Sequence, residues 1–152
     1  MAKTKIEKTV KDHAEELLKL LTLEGTVEVV IKEEDTYQVN IATGESNLLI
    51  GYHGEALSSF QLILGLIVYK KLGSWIRIVV EVGDYRARRE EQLKAMALSY
   101  ATQAVNTGQV IYLPYLHPAE RRIIHLALED SPRVECFSEG EGRNRRVIIK
   151  PK

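Results

Sequence analysis

The stretch "LLIGYHGEAL" (48–57) sets two glycines, Gly51 and Gly54, around only two side chains, Tyr52 and His53. One glycine is enough for a turn into a helix. Two, flanked by apolar residues, point to a backbone that another group approaches closely. The segments on either side decide the fold. Upstream, residues 4–22 place Ile6, Val10, Ala14, Leu17, Leu18 and Leu21 at helical spacing among Lys and Glu. "TVEVVIK" (26–32) and "TYQVNIA" (36–42) then alternate apolar and polar residues across "EED" (33–35), the pattern of a hairpin that needs a helix to cover it. Downstream, "GEALSSFQLILGLIVYKKLG" (54–73) is too long for a strand; Leu57, Phe60, Ile63, Leu64 and Ile67 form a wide stripe, and Gly73 closes the helix. "WIRIVVEV" (75–82) is a third strand.

The remainder differs in character. "GDYRARREEQLKAMALSYATQAVNTG" (83–108) spaces Leu93, Met96, Ala97, Tyr100 and Ala104 as a long helix between an Asp84 N-cap and a Gly108 stop. "QVIYLPYLH" (109–117) is extended, Pro118 opens the helix "PAERRIIHLALED", and "PRVECFSE" and "RRVIIKP" form a final strand pair across "GEGRN". Residues 1–82 hold 9 Lys and Arg against 12 Asp and Glu, a balance of −3, and residues 83–152 hold 12 against 9, or +3. The basic residues shift from Lys to Arg as well, and the arginine fork suits bidentate phosphate contact.

Several function classes drop out. The longest nearly unbroken apolar run, Leu62–Tyr69, is far shorter than the roughly 20 residues that span a bilayer. The N-terminus lacks an apolar signal core, so the expected location is the cytoplasm. The single Cys136 excludes an internal disulfide framework. No Gly-Lys-Ser/Thr occurs, and His13, His53, His117 and His125 have no metal spacing, so the expectation is a non-enzyme without cofactor or metal.

With the order of segments in hand, Gly51-Tyr52-His53-Gly54 resembles the Gly-x-x-Gly loop of a KH domain of the bacterial, type II topology. That resemblance implies an αββααβ module, a three-stranded sheet with helices on one face, whose loop clamps a single-stranded backbone of about four nucleotides. Gly51 and Gly54 would let phosphates close on outward-pointing N–H groups at a helix N-terminus, where the dipole favours an anion. Leu49, Ile50 and Leu57 would line the groove and receive bases. The family usually carries Lys or Arg between the glycines; Tyr52 and His53 stand there instead, and Tyr52 is suited to stacking on a base.

Arg121 and His125 lie four residues apart, on one helix face. This pair, with Arg122, the turn Ser138-Glu139-Gly140-Glu141-Gly142 and the following Arg145 and Arg146, resembles the R-three-H domain, which binds single-stranded nucleic acids. A KH module at 1–83, then an R-three-H module at 84–152 entered through a connecting helix (84–107), is the arrangement of the bacterial Jag family. The resemblance implies an α+β, single-stranded RNA-binding protein, a post-transcriptional regulator or RNA chaperone, with single-stranded DNA left open as a partner. Its alternative is an interaction module that pairs, as a homodimer or with a single-KH-domain protein, through Leu62, Leu66 and Val68. Arg86, Arg88 and Arg89 sit at the helix end where the dipole disfavours cations, so the expectation is phosphate contact or pairing with Glu90, Glu91 or another module. His117 is a poor N-cap for the Arg121 helix, and Trp75 reads as core or boundary packing.

Overall fold

The computed structural model describes residues 2–152, which divide after Tyr85 into two compact units. The N-terminal unit runs α1 (Lys3–Leu20), β1 (Gly25–Ile31), β2 (Thr36–Thr43), α2 (Ser46–Ile50), α3 (Glu55–Leu72) and β3 (Arg77–Val82). This is the αββααβ order expected. The one-turn helix α2 has too few residues to show a period, so only the resemblance anticipated it.

β1 and β2 pair antiparallel with Val27 opposite Ile41, Val29 opposite Val39 and Ile31 opposite Tyr37. β3 joins β2 in parallel, giving the order β1-β2-β3. The alternation therefore puts Val27, Val29, Tyr37, Val39, Ile41, Ile78, Val80 and Val82 into one core. α1 adds Val10, Ala14 and Leu18 to it, and α3 adds Leu57, Phe60, Leu64 and Val68. At the edge strand β3, the Val80 N–H donates to Gln61 Oε1 of α3 at 3.0 Å, which fixes the helix along the strand. α3 ends as expected: Gly73 is left-handed (φ 74°) and its N–H donates to the Tyr69 carbonyl.

The C-terminal unit comprises α4 (Tyr85–Thr107, whose first residue belongs to the N-terminal unit), β4 (Ile111–Tyr112), α5 (Pro118–Leu128), β5 (Val134–Glu139) and β6 (Arg146–Pro151). The predicted strand pair is the antiparallel β5/β6 ladder. Two residues of the extended 109–117 segment add a third strand, so the order is β4-β6-β5. A second core gathers Leu93, Ala97 and Ala104 of α4 with Leu113, Leu116, Ile124, Leu128, Val134, Val147 and Ile149.

The start of α5 differs from expectation. His117 and Glu120 close a capping box, with the His117 N–H donating to Glu120 Oε2 at 3.3 Å, and Pro118 follows the cap. The Arg121 helix is thus firmly begun by Glu120, three residues on, rather than weakened by His117. No helix among the described residues is long and apolar enough to cross a membrane.

Candidate nucleic-acid interface

The loop between α2 and α3 needs both glycines for reasons inside the chain. Gly51 has φ 71° and ψ −168°, and a Cβ there would lie 2.6 Å from the Ala56 Cβ. Gly54 has φ 81°, and a Cβ there would meet the Tyr85 ring at 3.1 Å. The close approach anticipated from the sequence is therefore made by Ala56 and Tyr85. The N–H groups are used internally too: Gly51 donates to the Asn47 carbonyl at 2.9 Å, and Gly54 to the Gly51 carbonyl at 3.5 Å. The expectation that both glycines present outward donors is corrected, because Gly51 terminates α2 and Gly54 closes a 3-10 turn. Glu55 places a carboxylate in the first turn of α3, at the positive end of its dipole.

What the loop does present is aromatic. Tyr52 stacks on His53 with ring centroids 3.9 Å apart and planes 21° from parallel, and Tyr52 is 68 % exposed. His53 holds φ 51°, a left-handed conformation that turns its side chain back beside Tyr52. The pair forms a preordered platform of the kind on which unpaired bases stack.

The proposed groove residues lie elsewhere. Leu49, Ile50 and Leu57 are buried in the N-terminal core, Leu57 to 1 % exposure, because α2 and the first turn of α3 turn these faces inward. Leu49 borders an apolar hollow of about 360 Å³ among α1, α2 and α3, beside Leu17, Leu20, Leu48 and Ile63. Val68 is likewise fully buried, which removes it from any pairing surface. Trp75, read as core or boundary packing, takes the boundary position and is 63 % exposed. Its ring lies over α3, where a Cβ on Gly65 would touch it at 3.4 Å.

On the C-terminal unit, α5 and β5 bring together residues from separate parts of the sequence. His125 Nε2 lies 2.7 Å from Ser138 Oγ, and Cys136 Sγ lies 3.4 Å from His125 Nδ1. Partial burial lowers the affinity of His125 for a proton below the ordinary imidazole value, and the Arg121 and Arg145 charges push the same way; a hydrogen bond to the Cys136 backbone opposes them. This contribution favours the folded state above the unfolded pKa of about 6.5 and is lost as pH falls from there through the lowered folded value, since the unfolded chain binds the proton more readily in that window. Burial pushes the Cys136 thiol up to about 11, so it stays protonated at neutral pH.

The arginines there do structural service as well. Arg121 Nη1 donates to the Leu116 carbonyl at 2.8 Å and Arg145 Nη1 to the Gly140 carbonyl at 2.9 Å. Each bond uses one donor of a five-donor guanidinium. Arg146 donates to the Arg143 carbonyl and lies 5.5 Å over the Tyr115 ring. Gly140 is required by the turn, since a Cβ would sit 2.8 Å from the Asn144 oxygen, and Gly142 adopts φ 56° in open space. Arg122 is exposed.

An R-three-H domain matches residues 91–151, a stretch that contains Arg121, His125 and Ser138. The chain is 32 % identical to RNA-binding protein KhpB of Clostridium symbiosum, over 99 % of this chain and 70 % of that protein. The chain belongs to the KhpB family. It is also 30 % identical to the Bacillus subtilis (strain 168) KhpB over 84 % of this chain, and 33 % identical to the Lactiplantibacillus plantarum KhpB over 73 %. Those two matches cover 63 % and 34 % of the relatives' own lengths, so this KhpB-family chain corresponds to part of them.

One of its linker arginines has a role that the sequence left undecided. Arg89 Nε donates to Glu120 Oε1 at 2.8 Å, with side chains only 14 % and 10 % exposed. Arg89 is thus removed from the candidate interface, since it neutralises the carboxylate that caps α5. The capping role of Glu120 was not read from the sequence. Its position three residues after His117 was the available signal. The Cys136 contact with His125 had none, because it depends on how α5 lies across β5. Among the described residues no group of three or more His, Cys, Asp or Glu could hold a metal ion.

Proposed function

We propose that this chain binds single-stranded RNA without catalysis, through the Tyr52–His53 platform of a KH module and the Arg121–His125–Ser138 face of the C-terminal unit. The observation that carries the reading is the second constellation. An imidazole bonded to the Ser138 hydroxyl feels the charges of Arg121 and Arg145, inside the stretch that matches an R-three-H domain, in a chain whose relatives are named RNA-binding proteins. Arginine supplies forked donors for phosphate, and the aromatic pair supplies stacking that is insensitive to salt. The module boundaries are taken as 1–83 and 84–152. The cellular role proposed is that of a cytoplasmic post-transcriptional regulator or RNA chaperone.

Fluorescence anisotropy with labelled single-stranded RNA, from about 50 to about 300 mM salt, tests this. Binding is expected to weaken with salt, with a log–log slope of about −0.7 per phosphate contact. Arg121→Ala/His125→Ala should weaken binding at least about tenfold and flatten that slope, because charge-assisted contacts are the stronger kind. Tyr52→Ala/His53→Ala should weaken binding by about five- to tenfold or more, the contribution of one stacked base, with little change of slope. A wild-type chain that binds no RNA at low salt overturns the reading.

A second property has its own observation. Leu62, Leu66 and Tyr69 are exposed along α3 and Trp75 lies beside them, an apolar stripe on the surface of the N-terminal unit. We propose that this stripe pairs with another KH module, in a second copy or in a single-KH-domain protein. Light scattering after size exclusion should show a pair in the wild type, and a monomer for Leu62→Glu/Leu66→Glu. A wild type that stays monomeric at high concentration and ignores single-KH-domain proteins refutes it.

A further inference from the structure

We infer that the open face of the C-terminal sheet is a further RNA surface, on which unpaired bases stack against Tyr112 and Phe137 while Arg146 and Lys150 hold the backbone. The inference rests on the RNA-binding reading above and goes beyond it to a face of the sheet that Arg121 and His125 do not occupy.

The strand register separates the two faces. Ile111, Ile149 and Cys136 form one row across β4, β6 and β5, and Tyr112, Ile148 and Phe137 form the next. Successive side chains point to opposite faces, so the second row is turned away from the first. The first row packs into the core, together with Leu93 and Ala97 of α4 and Ile124 and Leu128 of α5. His125 sits on that side as well, against Cys136 and Ser138. The second row belongs to neither core. Tyr112 is 68 % exposed, and Lys150, Glu135 and Glu139 around the row are exposed too, so this face is open to solvent.

Aromatic side chains concentrate there. Beyond Tyr85 the chain has four, Tyr100, Tyr112, Tyr115 and Phe137. Tyr112 and Phe137 stand in the outer row, and Tyr115 lies under the outward-pointing Arg146, 5.5 Å from guanidinium carbon to ring centroid. Rings are the side chains with most to gain from a core, yet only Tyr100 packs against this one. Charge supplies the second observation. Residues 143–152, which lead into and form the central strand β6, carry five Lys and Arg and no Asp or Glu. Arg146 and Lys150 share the outer face with Ile148, about 14 Å apart along the strand. The carboxylates of this face, Glu139 opposite Arg146 and Glu135 opposite Lys150, both belong to the edge strand β5. A polyanion is therefore drawn along β6 and toward β4, where Tyr112 stands. Ile148 is only 3 % exposed, so the face offers rings and cations rather than aliphatic surface. That chemistry suits a single strand with splayed bases, which stacks on rings beside a basic track.

The test uses the full chain and anisotropy with a labelled single-stranded RNA of about 20 nucleotides, long enough to reach more than one surface. Tyr112→Ala should weaken binding at least about fivefold, and Tyr112→Phe should preserve it, because stacking needs the ring and not the hydroxyl. Lys150→Ala should lower the log–log salt slope by about 0.7, the share of one phosphate contact. Glu139→Gln removes a repelling carboxylate and should tighten binding. The same RNA carrying 5-iodouridine should, on irradiation, cross-link to Tyr112 or Phe137 of the wild type, as read by mass spectrometry. Unchanged affinity in Tyr112→Ala, an equal loss in Tyr112→Phe, or cross-links that avoid both rings overturns the inference while leaving RNA binding intact. So does a Tyr112→Ala variant that loses only self-association in light scattering, which would make this face a protein contact. Should that variant fail to fold, the cross-links decide the matter on the wild type. A wild type that binds no RNA at low salt overturns the parent reading along with this one.

Discussion

Gly51→Ala is expected to destabilise the N-terminal unit by about 2–6 kcal/mol, as measured by urea or thermal unfolding, whether or not RNA is present. Two effects add. At φ 71° and ψ −168° the backbone occupies a region that side-chain-bearing residues avoid, worth about 1–3 kcal/mol of strain. The new methyl would also lie 2.6 Å from the Ala56 Cβ and 3.0 Å from the Ala56 nitrogen, an overpacking that costs about 1–3 kcal/mol. The two can be separated. Gly51→Ala/Ala56→Gly removes the methyl–methyl clash but not the strain, so it should recover only part of the loss. If Gly51→Ala unfolds at the wild-type midpoint and is impaired only in RNA binding, the glycine serves ligand approach after all.

The second large effect is expected at Arg89. Truncation to alanine leaves the Glu120 carboxylate buried without its cation, and breaking a buried pair in this way costs about 3–5 kcal/mol. Glu120 also accepts from the His117 N–H, so its carboxylate is held in place and cannot swing out to water without opening the α5 cap. Arg89→Met/Glu120→Met removes both charges. It should lie well above Arg89→Ala in stability, losing chiefly the cap, worth about 1 kcal/mol. Denaturant unfolding of the wild type, the two single methionine variants and the double variant forms a cycle that isolates the coupling. A coupling near zero would mean that water solvates the pair and that Arg89 is available to phosphate.

How much was legible in the sequence varied with the range of the interaction involved. The hairpin register could be read because alternation has a period of two, and a slip by one residue would turn Val27, Val29, Val39 and Ile41 outward. The left-handed stops at Gly73 and Gly108 were legible because a residue without Cβ announces them locally. Burial of Leu49, Ile50 and Leu57 was not. An apolar residue beside a loop has two faces available, and only the packing of α2 and α3 selects the inner one. Trp75 reads as core or boundary packing, and only the structure selects the boundary: Gly65 provides a shallow seat that leaves the ring largely in solvent.

The site shows the same division. Arg121 and His125 are brought to one face by helical spacing alone, and the KhpB-family membership agrees with the motifs that pointed to it. The partners of those residues were invisible, since a single chain of letters does not show that strand β5 lies under α5. From the sequence by itself came the longer elements, their order, the family and the chemistry of the exposed side chains. The tertiary structure alone decided that Arg89 pairs with Glu120, that the loop glycines yield to Ala56 and Tyr85, and that His125 is joined to Ser138. Each of these is a contact between residues distant in the chain or turned together by a backbone conformation, and local propensity carries no record of either.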